Sequence, residues 1–267
     1  MRWPRPAAPM MGVDGPLAAV LYAPKQPDAV VLLHSLALDH HIWLPLIDAL
    51  AARLTVMALD LPGHGGSPPA SAPTIETMAD HVIETMDAAD LPEAAIVGLS
   101  FGGSVAQAVA IRHPGRVRAL ALLDTTAYYG DDARLAWADR AERARRVGLP
   151  ALAGFQLDRW FSDRFCQHRA DLCDAVLGLY SATSLDGYAD ACTALGAMDL
   201  REGVASIRCP TTIVVGENDQ ATPVAHAEHL HGAVIGSRLH VVPGCKHLTI
   251  VERPAAVIGL IAQTIGA

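Results

Sequence analysis

The sequence has no basic stripe. Its 20 Lys and Arg are outnumbered by 28 Asp and Glu, and the formal net charge is −8. Such a chain lacks the electrostatic footprint of a nucleic-acid binder, and mild acidity mainly serves solubility. The five cysteines, Cys166, Cys173, Cys192, Cys209 and Cys245, are odd in number and none pair at a metal-ligand spacing. Their plain reading is reduced thiols in a cytoplasmic chain. No uninterrupted apolar run is long enough to span a membrane. The opening Met1-Arg2-Trp3-Pro4-Arg5-Pro6 is broken by prolines and lacks the apolar core of a secretory signal. There is no internal repeat or low-complexity segment, and the proline-rich pieces, residues 4–9 and Pro68-Pro69, read as loops.

What is present is a chain of 267 residues that is 51% apolar and 18% charged, long enough to bury a large core in a single α/β domain. Six short apolar runs punctuate it: Val30-Val31-Leu32-Leu33, Thr55-Val56-Met57-Ala58-Leu59, Ala94-Ala95-Ile96-Val97, Ala119-Leu120-Ala121-Leu122-Leu123, Thr211-Thr212-Ile213-Val214-Val215 and Leu239-His240-Val241-Val242. Continuous runs of this length read as strands buried on both faces. Helical patterns lie between them; the clearest has apolar Ile75, Met78, Ala79, Val82, Ile83 and Met86 on one face. Strands alternating with helices predict a mostly parallel sheet covered on both sides. The alternation breaks after Asp124. Residues 127–198 contain no such strand run, but a charged helix over 134–146 and a bulkier stretch over 155–165. They read as a helical lid inserted into a core formed by 1–126 and 199–267, placed to exclude water and contact substrate.

Gly98-Leu99-Ser100-Phe101-Gly102 is a G-x-S-x-G pentapeptide between the third run and the helix-like Gly103-Ser104-Val105-Ala106-Gln107-Ala108. Strand, tight turn and helix make it a nucleophile elbow with Ser100 at its tip. A serine hydroxyl needs a base, and the base an orienter, in the order serine, acid, histidine for a sheet enzyme of this kind. Asp219 follows the fifth run and His247 the sixth, where a parallel sheet places its functional loops. Asp124, which follows the fourth run, is the runner-up acid. An oxyanion needs N–H donors: Phe101 supplies one, and Leu36, with Ser35 as runner-up, the other, from the loop after the first run.

Other groups have blander readings. Glu217 should point elsewhere in its turn. His226 and His229 share a helix face near His231, but a third ligand and a shielded site are missing, so no metal is expected. His40-His41 reads as a helix-start surface pair, and Cys166, Cys173 and Cys192 as small lid core residues. Thiol chemistry at Cys245 has less motif support than Ser100. The loop around His64 is Gly-rich but lacks the Lys of a phosphate loop.

With these residues in place, the chain resembles the α/β-hydrolase superfamily over nearly its whole length. Asp60-Leu61-Pro62-Gly63-His64-Gly65-Gly66-Ser67 looks like its D-x-x-G-H-G-x-S loop, and His247-Leu248 with Glu252-Arg253-Pro254 like its histidine segment. Within it, the chain is most similar to 3-oxoadipate enol-lactonases. Four stretches carry that: His34-Ser35-Leu36-Ala37-Leu38-Asp39, Arg159-Trp160-Phe161-Ser162, Gly187-Tyr188-Ala189 with Met198-Asp199-Leu200-Arg201, and Asp219-Gln220-Ala221-Thr222-Pro223. The resemblance implies cofactor-free hydrolysis of an enol-lactone in aromatic catabolism. Ser100 would open the lactone, Ser35 and Trp160 would face the substrate, and a cation such as Arg159 would pair with its carboxylate. Ala37 departs from the glycine common in that loop, and Pro62 from an arginine often seen in the next. A carbon–carbon bond hydrolase of ring-fission products, a general carboxylesterase and a non-catalytic small-molecule binding protein stay open as alternatives. A cofactor-free haloperoxidase reading is a side reaction of the same three residues. Monomer and homo-oligomer are equally compatible with the sequence.

Overall fold

The computed structural model describes residues 10–23 and 26–267. The proline-broken start, residues 1–9, lies outside the described residues. Eight strands form one sheet: β1 (Met10–Val13), β2 (Ala19–Tyr22), β3 (Ala29–Leu33), β4 (Thr55–Leu59), β5 (Ala94–Leu99), β6 (Val117–Leu123), β7 (Thr211–Gly216) and β8 (Arg238–Val242). Their order is β1-β2-β4-β3-β5-β6-β7-β8. The pairs β1–β2 and β2–β4 are antiparallel, and the pairs from β4 to β8 are parallel.

The six apolar runs are β3 to β8. β3, β4, β5 and β7 are buried from end to end, and β6 nearly so. Sandwiching between helices requires such continuous runs. Two expectations need correction. β8 is not buried on both faces: it is an edge strand, and only Val242 is fully covered. β1 and β2 are not among the six runs: each is only four residues long, and β1 lies on the opposite edge, mostly exposed, while β2 is mostly buried beside it.

Helices α1 (Leu44–Leu50), α2 (Ile75–Ala88) and α3 (Phe101–Arg112) follow β3, β4 and β5. Five more, α4 (Ala133–Val147), α5 (Ala153–Trp160), α6 (Asp163–His168), α7 (Ala170–Ala182) and α8 (Leu185–Ala197), form the helical segment after β6, ahead of a short α9 (Arg201–Val204) that precedes β7. The chain closes with α10 (Val224–Ala233), α11 (Thr249–Glu252) and α12 (Pro254–Ile265). α1 and α12 pack together on one face of the sheet, and α2, α3, α9 and α10 on the other. The α2 stripe behaves as its spacing requires: all six apolar positions are buried, and Thr74 and Thr77 cap its start reciprocally. A bridge between Tyr128 and Asp199 closes the base of the helical segment where it leaves and rejoins the sheet.

Candidate active site

Ser100 stands between the last residue of β5 and the first of α3. Its φ is +52°, a region that L-residues avoid and that costs on the order of 1–3 kcal/mol unless neighbours impose it. The neighbours do. Ser100 N–H donates to Leu123 O at 2.8 Å and Gly102 N–H to His34 O at 3.0 Å, while Thr125 Oγ1 donates to Ser100 O at 2.7 Å. Glycine is required on both sides. A Cβ on Gly98 would lie 2.4 Å from Gly102 O, and one on Gly102 would lie 2.2 Å from Leu33 O. Backbone packed against backbone leaves no room for a side chain, so the turn stays sharp and Ser100 Oγ projects beyond the carboxyl end of the sheet.

Two loops bring partners to it. His247, past β8, places Nε2 2.9 Å from Ser100 Oγ. Its Nδ1 lies 2.8 Å from Asp219 Oδ2, past β7. Asp219 is itself fixed: Oδ1 accepts the N–H groups of Ala221 (2.7 Å) and Thr222 (3.0 Å), and Oδ2 the Thr222 hydroxyl (2.9 Å). Burial opposes ionisation of Asp219, but His247 and the Thr222 hydrogen bonds outweigh it and hold the carboxyl below its ordinary range. An ionised carboxylate only accepts, so Nδ1 carries the imidazole proton and Nε2 presents a lone pair to the serine hydroxyl. All three residues are buried.

Asp124, the runner-up acid, is fully buried but faces elsewhere. Its carboxylate accepts Gly216 N–H at 3.1 Å, Thr249 N–H at 3.0 Å and Thr249 Oγ1–H at 2.7 Å, tying the end of β7 to α11. Burial, then the charge of Asp219, push its carboxyl well above the usual range. Glu217 turns away to accept Gly244 N–H at 2.9 Å. Cys245 is buried, and burial pushes its thiol up to about 12, far from a reactive thiolate. Of the three cysteines read as lid core, Cys173 and Cys192 are buried and Cys166 is half-buried.

The two expected oxyanion donors are Phe101 N–H, at the first position of α3, and Leu36 N–H. Among the described residues neither N–H meets a backbone acceptor. The Leu36 loop is braced by His34, whose Nδ1–H meets Ser35 O at 2.8 Å and whose Nε2 accepts Leu61 N–H at 2.8 Å. Ala37 stands at φ +58°, in the region that favours glycine; the alanine is accommodated at a strain of about 1–2 kcal/mol.

Ser100 and His247 open into a cavity of about 190 Å³ that Ser35, Leu36, Arg159 and Trp160 also line. Trp160 is held there through its carbonyl, which accepts Leu248 N–H at 3.2 Å, beside His247. Glu252 adds a brace, accepting Lys246 N–H at 2.7 Å and the Ser162 hydroxyl at 2.5 Å. The cavity has further walls that the sequence did not announce: Tyr129, Trp137, Arg140 and Gln156. Trp137 and Arg140 are three residues apart and so share a helix face, but seven of the fifteen residues of α4 are charged and it reads as solvated. A larger cavity of about 890 Å³ lies between α1, α6, α7 and α11, lined by Phe165, Leu172 and Val251 among others. None of Ser100, Asp219 and His247 borders it, so chemistry points to the smaller one.

Among the described residues one cluster has metal-ligand character, Asp39, His40 and His41, with ligand atoms within 4.8 Å of one another. Its imidazoles already have carboxylate partners: His41 Nδ1 lies 3.0 Å from Asp39 and His40 Nδ1 2.9 Å from Asp60. His231 bonds Ser237 Oγ at 2.9 Å.

His64 is buried behind Phe101, with Nδ1 2.9 Å from Pro62 O and no partner for Nε2. Burial drives its pKa down to about 3. An unfolded histidine titrates near 6.5. Below that pH the unfolded chain takes a proton that the native chain refuses, so this stabilisation is complete above about pH 6.5 and falls as pH drops toward 3. Urea unfolding across that window is expected to give a stability slope about 1.4 kcal/mol per pH unit steeper in the wild type than in His64→Gln. Equal slopes would show that His64 titrates normally in the fold.

The sequence pattern of the alpha/beta hydrolase fold matches residues 28–254. The chain belongs to the alpha/beta hydrolase family. This hydrolase is 30% identical to "3-oxoadipate enol-lactonase 1" of Acinetobacter baylyi, over 89% of its own length and 88% of the relative's. It is 32% identical to a pimeloyl-[acyl-carrier protein] methyl ester esterase of Neisseria meningitidis serogroup A, over 88% of its length and 76% of the relative's. The crystal structure of the enol-lactonase from Burkholderia xenovorans superposes on this hydrolase with a TM-score of 0.89 at 29% identity, covering 97% of the present chain and 100% of the other. Among the described residues, no helix of the hydrolase is long and apolar enough to cross a membrane.

Proposed function

We propose that Ser100 of this hydrolase attacks the carbonyl of a small carboxylate-bearing lactone or ester, with 3-oxoadipate enol-lactone, an intermediate of aromatic catabolism, as the leading substrate. The observation that carries this reading is the series Ser100 Oγ–His247 Nε2–Asp219 Oδ2, at 2.9 and 2.8 Å, opening into a cavity with two arginines. The enol-lactonase relatives support the choice of substrate.

In this reading His247 Nε2 takes the hydroxyl proton as Ser100 Oγ bonds to the carbonyl carbon. The charge that develops on the carbonyl oxygen meets the N–H groups of Phe101 and Leu36. The intermediate collapses, the C–O bond of the lactone breaks, and the departing oxygen receives the proton from His247. The acyl group stays on Ser100. Water then attacks, again giving its proton to His247, and the acid leaves with Ser100 restored. These steps need only a nucleophile, a base and two donors. Residues 127–198 act as the lid that excludes water from them. A general ester substrate is the second reading, favoured by the methyl ester esterase relative.

A screen of enol-lactones, ring-fission products and short esters tests the assignment. The expected result is kcat/KM of at least about 10⁴ M⁻¹s⁻¹ on the enol-lactone, with ring-fission products untouched. Fast ester hydrolysis without lactone opening would replace the lactonase reading by the esterase one.

A further inference from the structure

α4 brings Arg140 to the wall of the Ser100 cavity. Its Nε–H donates to Tyr188 OH at 2.6 Å, and its guanidinium carbon lies 4.9 Å from the centre of the Trp137 ring and 5.9 Å from that of Tyr188. The planar group is thus clamped at one edge and supported by two aromatic rings. Among the described residues no protein acceptor meets Nη1 or Nη2, and no Asp or Glu pairs with it. The fork that suits a carboxylate remains open.

The charge balance of the cavity points the same way. Its walls carry two cations, Arg140 and Arg159, and no acid; the nearby Asp219 is engaged with His247. A desolvated cation without a counter-ion is unfavourable. Arg159 is the less committed of the two to the cavity. Its Nη2–H donates to Gln220 O at 3.3 Å, and its guanidinium lies 5.4 Å from the half-exposed ring of Phe155. Burial and then the neighbouring Arg140 pull the pKa of Arg159 down, against a smaller opposing pull from Asp219.

We infer that Arg140, and not Arg159, is the residue that binds the substrate's carboxylate, through a forked pair of hydrogen bonds from Nη1 and Nη2. This deepens the proposed function and rests on it for the orientation of the substrate. Ser100 takes the carbonyl end and Arg140 the anionic end. A small cavity with fixed groups at both ends selects short acids that bear one ester or lactone carbonyl and one carboxylate. Tyr188 and Trp137 are positioning residues: they aim the fork.

The test compares the monomethyl ester of glutarate with its neutral isostere, methyl 5-methylhexanoate. The wild type is expected to prefer the anionic ester. Arg140→Met should lower the ratio of the two kcat/KM values by about 10- to 100-fold, Arg140→Lys should restore part of it, and Arg159→Met should leave it near the wild-type value. A fall on both substrates with the ratio kept would reduce Arg140 to a packing residue and overturn the inference. Loss of the ratio in Arg159→Met but not in Arg140→Met would also overturn it. If neither ester is hydrolysed, the lactone screen alone decides the proposed reaction, and calorimetric titration with glutarate reads the anchor. Weaker binding by Arg140→Met than by the wild type supports the anchor, and equal affinity refutes it.

Discussion

Ser100→Ala is expected to lower kcat by about six orders of magnitude on every ester or lactone that the wild type hydrolyses, because removing a nucleophile from a coupled serine–histidine pair disables the pair as a unit. A residual rate above that of water persists from the oxyanion donors and binding. The fold should survive. The hydroxyl's partner in the protein is His247, and the turn is held by backbone bonds from Ser100 N–H and by Thr125 on Ser100 O, none of which needs the hydroxyl. The strained φ is already borne by a residue with a Cβ, so alanine adds nothing to it. Steady-state kinetics paired with a thermal melt separates the two effects, and a fluorophosphonate probe should label the wild type and not the variant. Wild-type turnover by Ser100→Ala would end the mechanism outright.

The two buried aspartates are expected to part company on substitution. Asp219→Asn should lower kcat by about 10⁴. The carbonyl of the new amide is the group that can accept the Ala221 and Thr222 N–H bonds now made to Oδ1. Its NH₂ then faces His247 Nδ1 and donates, which moves the imidazole proton to Nε2. A histidine protonated there cannot take the proton of Ser100. Asp124→Asn should stay within about tenfold of wild-type kcat, because its carboxylate bonds Gly216 and Thr249 and makes no contact with the imidazole. Its penalty should appear in the melt instead, as about 1–3 kcal/mol of lost hydrogen bonding. Kinetics of both variants at pH 7 decide the matter, and the reverse ranking would reassign the acid.

Ser100, Asp219 and His247 are legible in the sequence because each lies within a few residues of the end of a strand: burial on both faces gives β5 and β7 continuous apolar runs, and β8, though an edge strand, keeps enough apolar residues to be read. Strand ends of a parallel sheet share one edge, so order along the chain becomes proximity in space. The choice between Asp219 and Asp124 was less legible: both follow buried strands, and only the direction of each side chain separates them. β1 and β2 escaped the same logic: they are four residues each and pair antiparallel, outside the strand–helix alternation that marks the parallel part of the sheet.

Arg140 was illegible for a different reason. α4 carries Arg134, Arg140, Arg143, Arg145 and Arg146 among its fifteen residues, and a helix so charged reads as a solvated surface. Which arginine turns inward depends on how α4 packs against α8, a contact between elements about fifty residues apart (the Arg140–Tyr188 bond spans 48). The sequence by itself determined the parallel part of the sheet, the elbow and the order of Ser100, Asp219 and His247 at its strand ends, because burial and backbone geometry leave marks on neighbouring residues. Only the tertiary structure decided which aspartate faces the imidazole and which arginine enters the cavity. Those choices rest on directions of side chains brought together from distant segments, and no local pattern encodes them.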